Sequence, residues 1–269
     1  MIGSGSIMFK DKIFNRINYC WRLIATAVSF SIFGLGGVFL SLTIFPVVNL
    51  LIWNQKRRKV VGQYIVHLSF RFFIGFMNRT GILDYEIVGR EKLDAQPGLI
   101  LANHPSLIDV VFLISFMKKV DCIVKQSLLR NPFTIGPVRA AGYIGNSGAE
   151  RLVDDCVQSL ALGNSLVMFP EGTRSKPGQC LNFQRGAANM VVRAECPIRP
   201  VTISVTPTTL TKAEKWYQIP PTKFKVVICV GDDLDVMPLI SSAPNQTIAT
   251  RQLTRYLEEY FTKETKANG

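Results

Sequence analysis

Residues 98–117 read GLILANHPSLIDVVFLISFM, and they decide the fold. Gly98 to Ala102 is a short apolar run rich in branched side chains, as a strand buried on both faces requires. Four residues of different character follow, Asn103, His104, Pro105 and Ser106, before apolar residues resume through Met117 as a helix. Strand, polar turn and helix in that order form the half-unit of a layered α/β domain, in which ligands gather at the carboxyl ends of strands.

The same texture recurs on either side. Strands are predicted at Tyr85–Val88, Gly98–Ala102, Cys122–Val124, Ser165–Phe169, Ile198–Val205 and Lys225–Val230. Helices are predicted at Ser106–Met117, Ala149–Leu162, Arg185–Ala194 and Thr247–Thr262, the last with Leu253, Tyr256, Leu257, Tyr260 and Phe261 on a core-facing stripe. The expected fold class is therefore α/β, a mixed sheet flanked by helices, over residues 81–269.

Residues 1–80 differ. From Leu23 to Gln55 no residue is charged over 33 positions. One straight helix of that length runs roughly 50 Å, more than the roughly 30 Å of bilayer hydrocarbon, so it must tilt, extend into the interface or break. Gly34, Gly36, Gly37 and Pro46 are the break signals. Four basic residues precede the run (Lys10, Lys12, Arg16, Arg22) and four follow it (Lys56, Arg57, Arg58, Lys59), so the positive-inside rule is tied. That tie suits a hairpin with both flanks on one side. Val60 to Met77 reads as an interfacial helix beside the first, with His67 in interfacial packing. The expected division is a membrane-associated helical segment over 1–80 and a catalytic domain over 81–269, the boundary lying near Arg79 to Gly81.

Charge follows the same division. The chain carries 31 Lys plus Arg against 19 Asp plus Glu, a net +12. Residues 1–80 contribute ten of the basic residues and one acid, hence +9, and the remainder only +3. The excess thus brackets the lipid-length run and points to an anionic membrane surface, not to nucleic acid. Six scattered cysteines without a Cys-x-x-Cys pair, and two distant histidines, read as reduced core residues and no metal site.

The chemistry lies at two strand ends. Asp109, in the first turn of a helix, can reach back to His104, and an imidazole held through one nitrogen presents the other as a general base. Such a pair alone is commonly a structural hydrogen bond. About 65 residues on, however, the strand Ser165–Phe169 runs into Pro170, Glu171, Gly172, Thr173, Arg174 and Ser175, a second polar cluster at a strand end. There is no Gly-x-Ser-x-Gly elbow to make a nucleophilic serine.

NHPSLID at 103–109 and FPEGTRS at 169–175 resemble the first and third motifs of the glycerolipid acyltransferase family, the lysophosphatidic acid acyltransferase type. VKQSLLRNPFTIGPVRAAGYIG at 124–145 and CPIRPVTISV at 196–205 resemble its second and fourth. The amino-terminal FGLGG stretch and Pro105 are similar to a bacterial branch associated with aryl-polyene lipid clusters. The resemblance implies transfer of a fatty-acyl group from an acyl-carrier protein or coenzyme A thioester, as co-substrate, to a hydroxyl of a lysophospholipid or similar lipid acceptor. No cofactor, metal or covalent acyl-enzyme is implied.

It also implies His104 and Asp109 as the catalytic pair, Glu171, Gly172, Thr173 and Arg174 at the acceptor, and Lys125 as a phosphate partner. Gly172 would allow a tight turn, and Arg174 has the alternative of a salt bridge to Glu171. The acid–arginine pair that closes the second motif in many members is missing, since Tyr143 and Ile144 lead into Gly145 and Asn146. Losing one charged contact to phosphate costs about 2–3 kcal/mol, and Arg139 or Arg151 are the candidates to replace it. The expected place of work is the cytoplasmic side of a bacterial inner membrane. The alternative is a non-catalytic lipid-binding or scaffold protein that keeps the fold.

Overall fold

The computed structural model describes residues 3–146, 148–175, 179 and 181–268. Residues 3–51 do not break at the glycines. Helix α1 (Gly3–Phe39) continues through a π-helical stretch, Leu40–Ile44, into α2 (Phe45–Leu51). In an α-helix the Pro46 ring would press on the Leu42 carbonyl, and the wider π turn gives it room. The chain reverses instead at residues 52–54, where the Asn54 side chain caps α3 (Gln55–Arg79) by accepting from the Arg57 N–H at 3.0 Å. Phe30 against Phe73 and Phe33 against Phe70 show α1 and α3 running antiparallel. Gly37 serves close approach rather than a break: a Cβ there would lie 1.9 Å from the Phe133 carbonyl oxygen.

Seven strands form one sheet: β1 (Leu83–Val88), β2 (Leu99–Ala102), β3 (Asp121–Lys125), β4 (Ile144–Asn146), β5 (Leu166–Met168), β6 (Ile198–Thr206) and β7 (Phe224–Val230). Their spatial order is β1-β7-β6-β2-β5-β3-β4, and every neighbouring pair is parallel except β6 with β7. The six predicted strands are present. The additional β4 is three residues long with Gly145 at its centre, too short to show a period.

Alternation along the strands divides the core. Ile100 and Ala102 face α1, α3 and α4 (Asp109–Phe116), whereas Leu99 and Leu101 face α6 (Ala149–Ala161), α7 (Gly186–Ala194) and α9 (Gln246–Asn268). Leu253, Leu257 and Phe261 of α9 are buried as expected, while Tyr256 is exposed. Two short helices, α5 (Ile135–Ala140) and α8 (Met237–Ser241), complete the chain.

Helix α3 belongs to the same packed body as the sheet. Val66, Phe73, Ile74 and Met77 are buried in one cluster with Phe112, Ile114 and Val226. His67 is buried between α3 and α4, its Nδ1 2.9 Å from the Ile114 carbonyl oxygen, and is not interfacial. Cys122 and Cys156 are core thiols that burial pushes up to about 12. Cys20 departs from expectation because it lies on the outer side of α1, and Cys180 is outside the described residues.

A polar junction anchors α3 to the sheet at the start of β3. The buried Asp121 carboxylate accepts from Lys59 Nζ at 2.8 Å, Gln63 Nε2 at 2.6 Å and Ser159 Oγ. Lys59 is therefore not free to join the basic flank. Asp121→Ala removes the acceptor of Ser159 and leaves Gln63 Nε2 only the Ala141 carbonyl at 3.2 Å, while Lys59 is a third exposed and can turn to solvent. We expect a loss of about 2–3 kcal/mol, less than for a fully buried pair, read as a lowered melting temperature in detergent micelles.

Candidate active site

Strands β2 and β5 lie side by side in register, Leu101 opposite Met168, so the loops leaving their carboxyl ends must meet. The first carries His104 and the second Glu171 to Ser175. Their junction is backbone-deep. Ser175 N donates to the His104 carbonyl at 2.7 Å, and His104 N donates to Glu171 Oε1 at 2.9 Å. Glu171 Oε1 also accepts from Ser175 Oγ at 2.9 Å. On the other side, Asn103 clamps β6 by exchanging two hydrogen bonds with Ile203, at 2.7 and 2.8 Å. The loop before α4 is thus fixed from both neighbouring strands.

Within it, His104 Nδ1 donates to Asp109 Oδ2 at 2.9 Å, and Ser106 N donates to the same oxygen at 2.7 Å. Helix α4 begins at Asp109, three residues later than predicted, because residues 106–108 form the turn that carries this contact. The Asp109 side chain is fully buried, and desolvation holds its carboxyl above the usual range despite the opposing pull of the His104 hydrogen bond. The His104 ring lies 4.3 Å from the Phe169 ring centroid, inclined by 32°. With Nδ1 engaged, Nε2 has no hydrogen-bond partner among the described residues, and His104 lines a cavity.

That cavity is a partly open cleft of about 1790 Å³, larger than the roughly 300–1,000 Å³ of ordinary small-molecule pockets. One part is apolar, walled by Phe33, Gly37 and Leu40 of the amino-terminal helix, by Val66 and Phe70 of α3, and by Val111 and Ile114 of α4. The other is polar, with Lys125, Asn146, Arg174, Arg185 and Arg193 on its wall. His104 lies on the same wall.

Of the residues singled out in the sequence, His104, Lys125, Gly172, Thr173 and Arg174 line this cavity, while Asp109 and Glu171 stand behind it. Gly172 has φ +66°, the left-handed backbone a tight turn asks of glycine. Arg174 does not pair with Glu171. Its Nη1 donates to the carbonyls of Leu210 and Thr211, both at 2.8 Å, in the segment between β6 and β7. Arg139 and Arg151 are exposed and off the cavity wall. The basic groups there that sequence reasoning passed over are Arg185, exposed just before α7, and Arg193, which is held by Asp154 at 2.7 Å. A basic residue soon after the third motif, Arg185 in FQRGAA, was the available signal.

A mixed sheet thus brings together a His-Asp pair at the end of one strand and a Gly-Thr-Arg turn at the end of the next. In fold the chain resembles the crystal structure of the 1-acyl-sn-glycerophosphate acyltransferase PlsC from Thermotoga maritima, with a TM-score of 0.68 and 20% identity over 95% of this chain and 96% of that one. The acyltransferase family model matches residues 84–204. Curated relatives include the 1-acyl-sn-glycerol-3-phosphate acyltransferase of Pseudomonas aeruginosa, 28% identical over 52% of this chain and 56% of the relative. The human beta enzyme of the same name is 29% identical over 55% of this chain and 53% of its own. The chain thus spans about half the length of the curated relatives it matches.

Proposed function

We propose that the protein is a membrane-bound acyltransferase moving a fatty-acyl group from an acyl-carrier protein or coenzyme A thioester to the hydroxyl of a lysophosphatidic acid-like acceptor. One observation carries this reading: a single cavity joins an apolar chamber to a basic recess, with His104 on its wall. In the reaction, His104 Nε2 removes the acceptor proton as the hydroxyl oxygen attacks the thioester carbonyl. The C–O bond forms, the C–S bond breaks, and the imidazolium returns its proton to the departing thiolate. Asp109 holds the tautomer and offsets the transient positive charge. Lys125, Thr173, Arg174 and Arg185 receive the acceptor's phosphate, in place of the missing acid–arginine pair.

The amino-terminal helices support membrane attachment. Lys12–Leu51 and Gln55–Arg79 are both long and apolar enough to cross a bilayer. Forty unbroken residues run about 60 Å, twice the hydrocarbon thickness, and exposed apolar residues extend from Phe14 to Trp53. A steeply tilted or in-plane helix pair accommodates this. Since the thioester donor is cytosolic, the catalytic domain belongs on the cytoplasmic side, at the inner membrane of a bacterium.

Purified protein in detergent, offered acyl-carrier-protein and coenzyme A thioesters with lysophosphatidic acid or neutral monoacylglycerol, tests the reading, and mass spectrometry names the product. No transfer from either donor refutes catalysis and leaves the scaffold alternative. Arg174→Lys sharpens the acceptor assignment. One ammonium cannot both hold two carbonyls and meet a phosphate, so KM for lysophosphatidic acid should rise about tenfold with little change for monoacylglycerol.

A further inference from the structure

Residues 207–223, between β6 and β7, form a strap with no strand or helix longer than a turn. It touches the catalytic loops at one end. Leu107 N, from the His104 loop, donates to the Leu210 carbonyl at 3.1 Å, the same oxygen that takes Arg174 Nη1. Leu210 is held at φ +55°, a left-handed conformation rare for leucine.

At the other end the strap lies along α1. Arg22 donates to the carbonyls of Pro220 and Pro221, and the Trp216 ring sits 6.2 Å from that of Phe30. Between these anchors the strap turns outward side chains that a soluble surface would not select. Trp216 is 43% exposed and Tyr217 46%, with exposed Lys212 and Lys215 beside them and the Lys215 ammonium over the Tyr217 ring. Leu107, next to the catalytic loop, is 46% exposed.

We infer that this strap is a second bilayer contact, seated at the headgroup level of an anionic membrane. Trp and Tyr favour that depth because an apolar ring can enter the chain region while its N–H or O–H stays wet. Lys212 and Lys215 supply the charge complementary to acidic headgroups. The patch adjoins α1 along its Arg22–Phe30 face, and the opposite face of that helix exposes Trp21, Ile24 and Val28, so strap and helix are continuous in one apolar region. Leu107 and Arg174 then share a strap that touches the membrane, which sets the cavity at the depth where a lipid acceptor presents its hydroxyl. The inference rests on the membrane attachment proposed above and adds to it a surface outside the amino-terminal helices.

The three tryptophans, Trp21, Trp53 and Trp216, allow a separate reading of each. Trp21→Phe with Trp53→Phe leaves Trp216 as the reporter, and Trp21→Phe with Trp216→Phe leaves Trp53. Each protein is reconstituted with phosphatidylcholine vesicles containing phosphatidylglycerol, brominated either near the headgroup or near the chain end. Trp216 should lose most of its emission to headgroup-proximal bromine and little to chain-end bromine. If Trp53 is quenched and Trp216 is not, the inference is overturned while membrane attachment stands. Quenching of neither overturns both. In a second arm, Trp216→Ala with Tyr217→Ala should lower transfer to a vesicle-borne acceptor about fivefold and leave a short-chain, monomeric acceptor unaffected. Unchanged transfer at vesicles overturns the inference as well.

Discussion

His104→Ala is expected to lower kcat by about 10²–10⁴-fold with acceptor KM nearly unchanged and the fold intact. The ring contributes little to packing. It is bonded to Asp109 and lies against Phe169, but the strand ends are held by backbone contacts that alanine preserves: Ser175 N to the residue 104 carbonyl and residue 104 N to Glu171. What alanine removes is the one imidazole on the cavity wall. Turnover by purified variant and wild type, with circular dichroism as the folding control, makes the comparison. Undiminished transfer would falsify the general-base assignment.

Asp109→Asn should have an effect of similar size on kcat, about 10³–10⁴-fold, and an opposite one on stability. The amide can still accept from Ser106 N, but it no longer compels His104 to carry its proton on Nδ1 or stabilises the imidazolium. For stability the sign follows from burial. The Asp109 carboxyl is raised above its unfolded value, chiefly by desolvation. A group shifted that way stabilises the fold fully below its unfolded pKa, about 3.9, and loses that contribution as pH climbs through the folded value. At neutral pH the buried carboxyl therefore costs stability relative to acid pH. Asp109→Asn should melt higher than wild type at neutral pH, and the difference should shrink as pH falls toward 4. A variant that melts lower at neutral pH would mean that the His104 and Ser106 hydrogen bonds outweigh desolvation.

The site and the fold were legible in the sequence to different depths. His104 and Asp109 are five positions apart in one turn, so local geometry almost compels their contact. The two catalytic loops could be brought together on paper because both follow short branched runs, and β2 and β5 prove to be neighbours. Helix α5 was illegible because six residues holding Gly136 and Pro137 show neither helical period nor propensity. Tertiary polar contacts were hidden for another reason. Asp121 meets Lys59 and Gln63 across 62 and 58 residues, and Arg174 meets Leu210 across 36, through backbone carbonyls that carry no residue identity. The glycines misled because glycine marks both breaks and close approaches. Only the position of Phe133 distinguishes the two at Gly37.

The pairing of β1 with β7 bears on how the molecule is made. These strands lie at residues 83–88 and 224–230, so one edge of the sheet cannot close until about 140 further residues have been made after β1. At ordinary synthesis rates that is a wait of roughly 10–30 s. Throughout it β1 has no strand partner, because its only neighbour in the described sheet is β7. The period of greatest exposure to misassembly therefore falls after the amino-terminal helices are complete and before the last strand arrives. Truncation within residues 224–230 should harm accumulation of the protein in cells more than its distance from His104 would suggest.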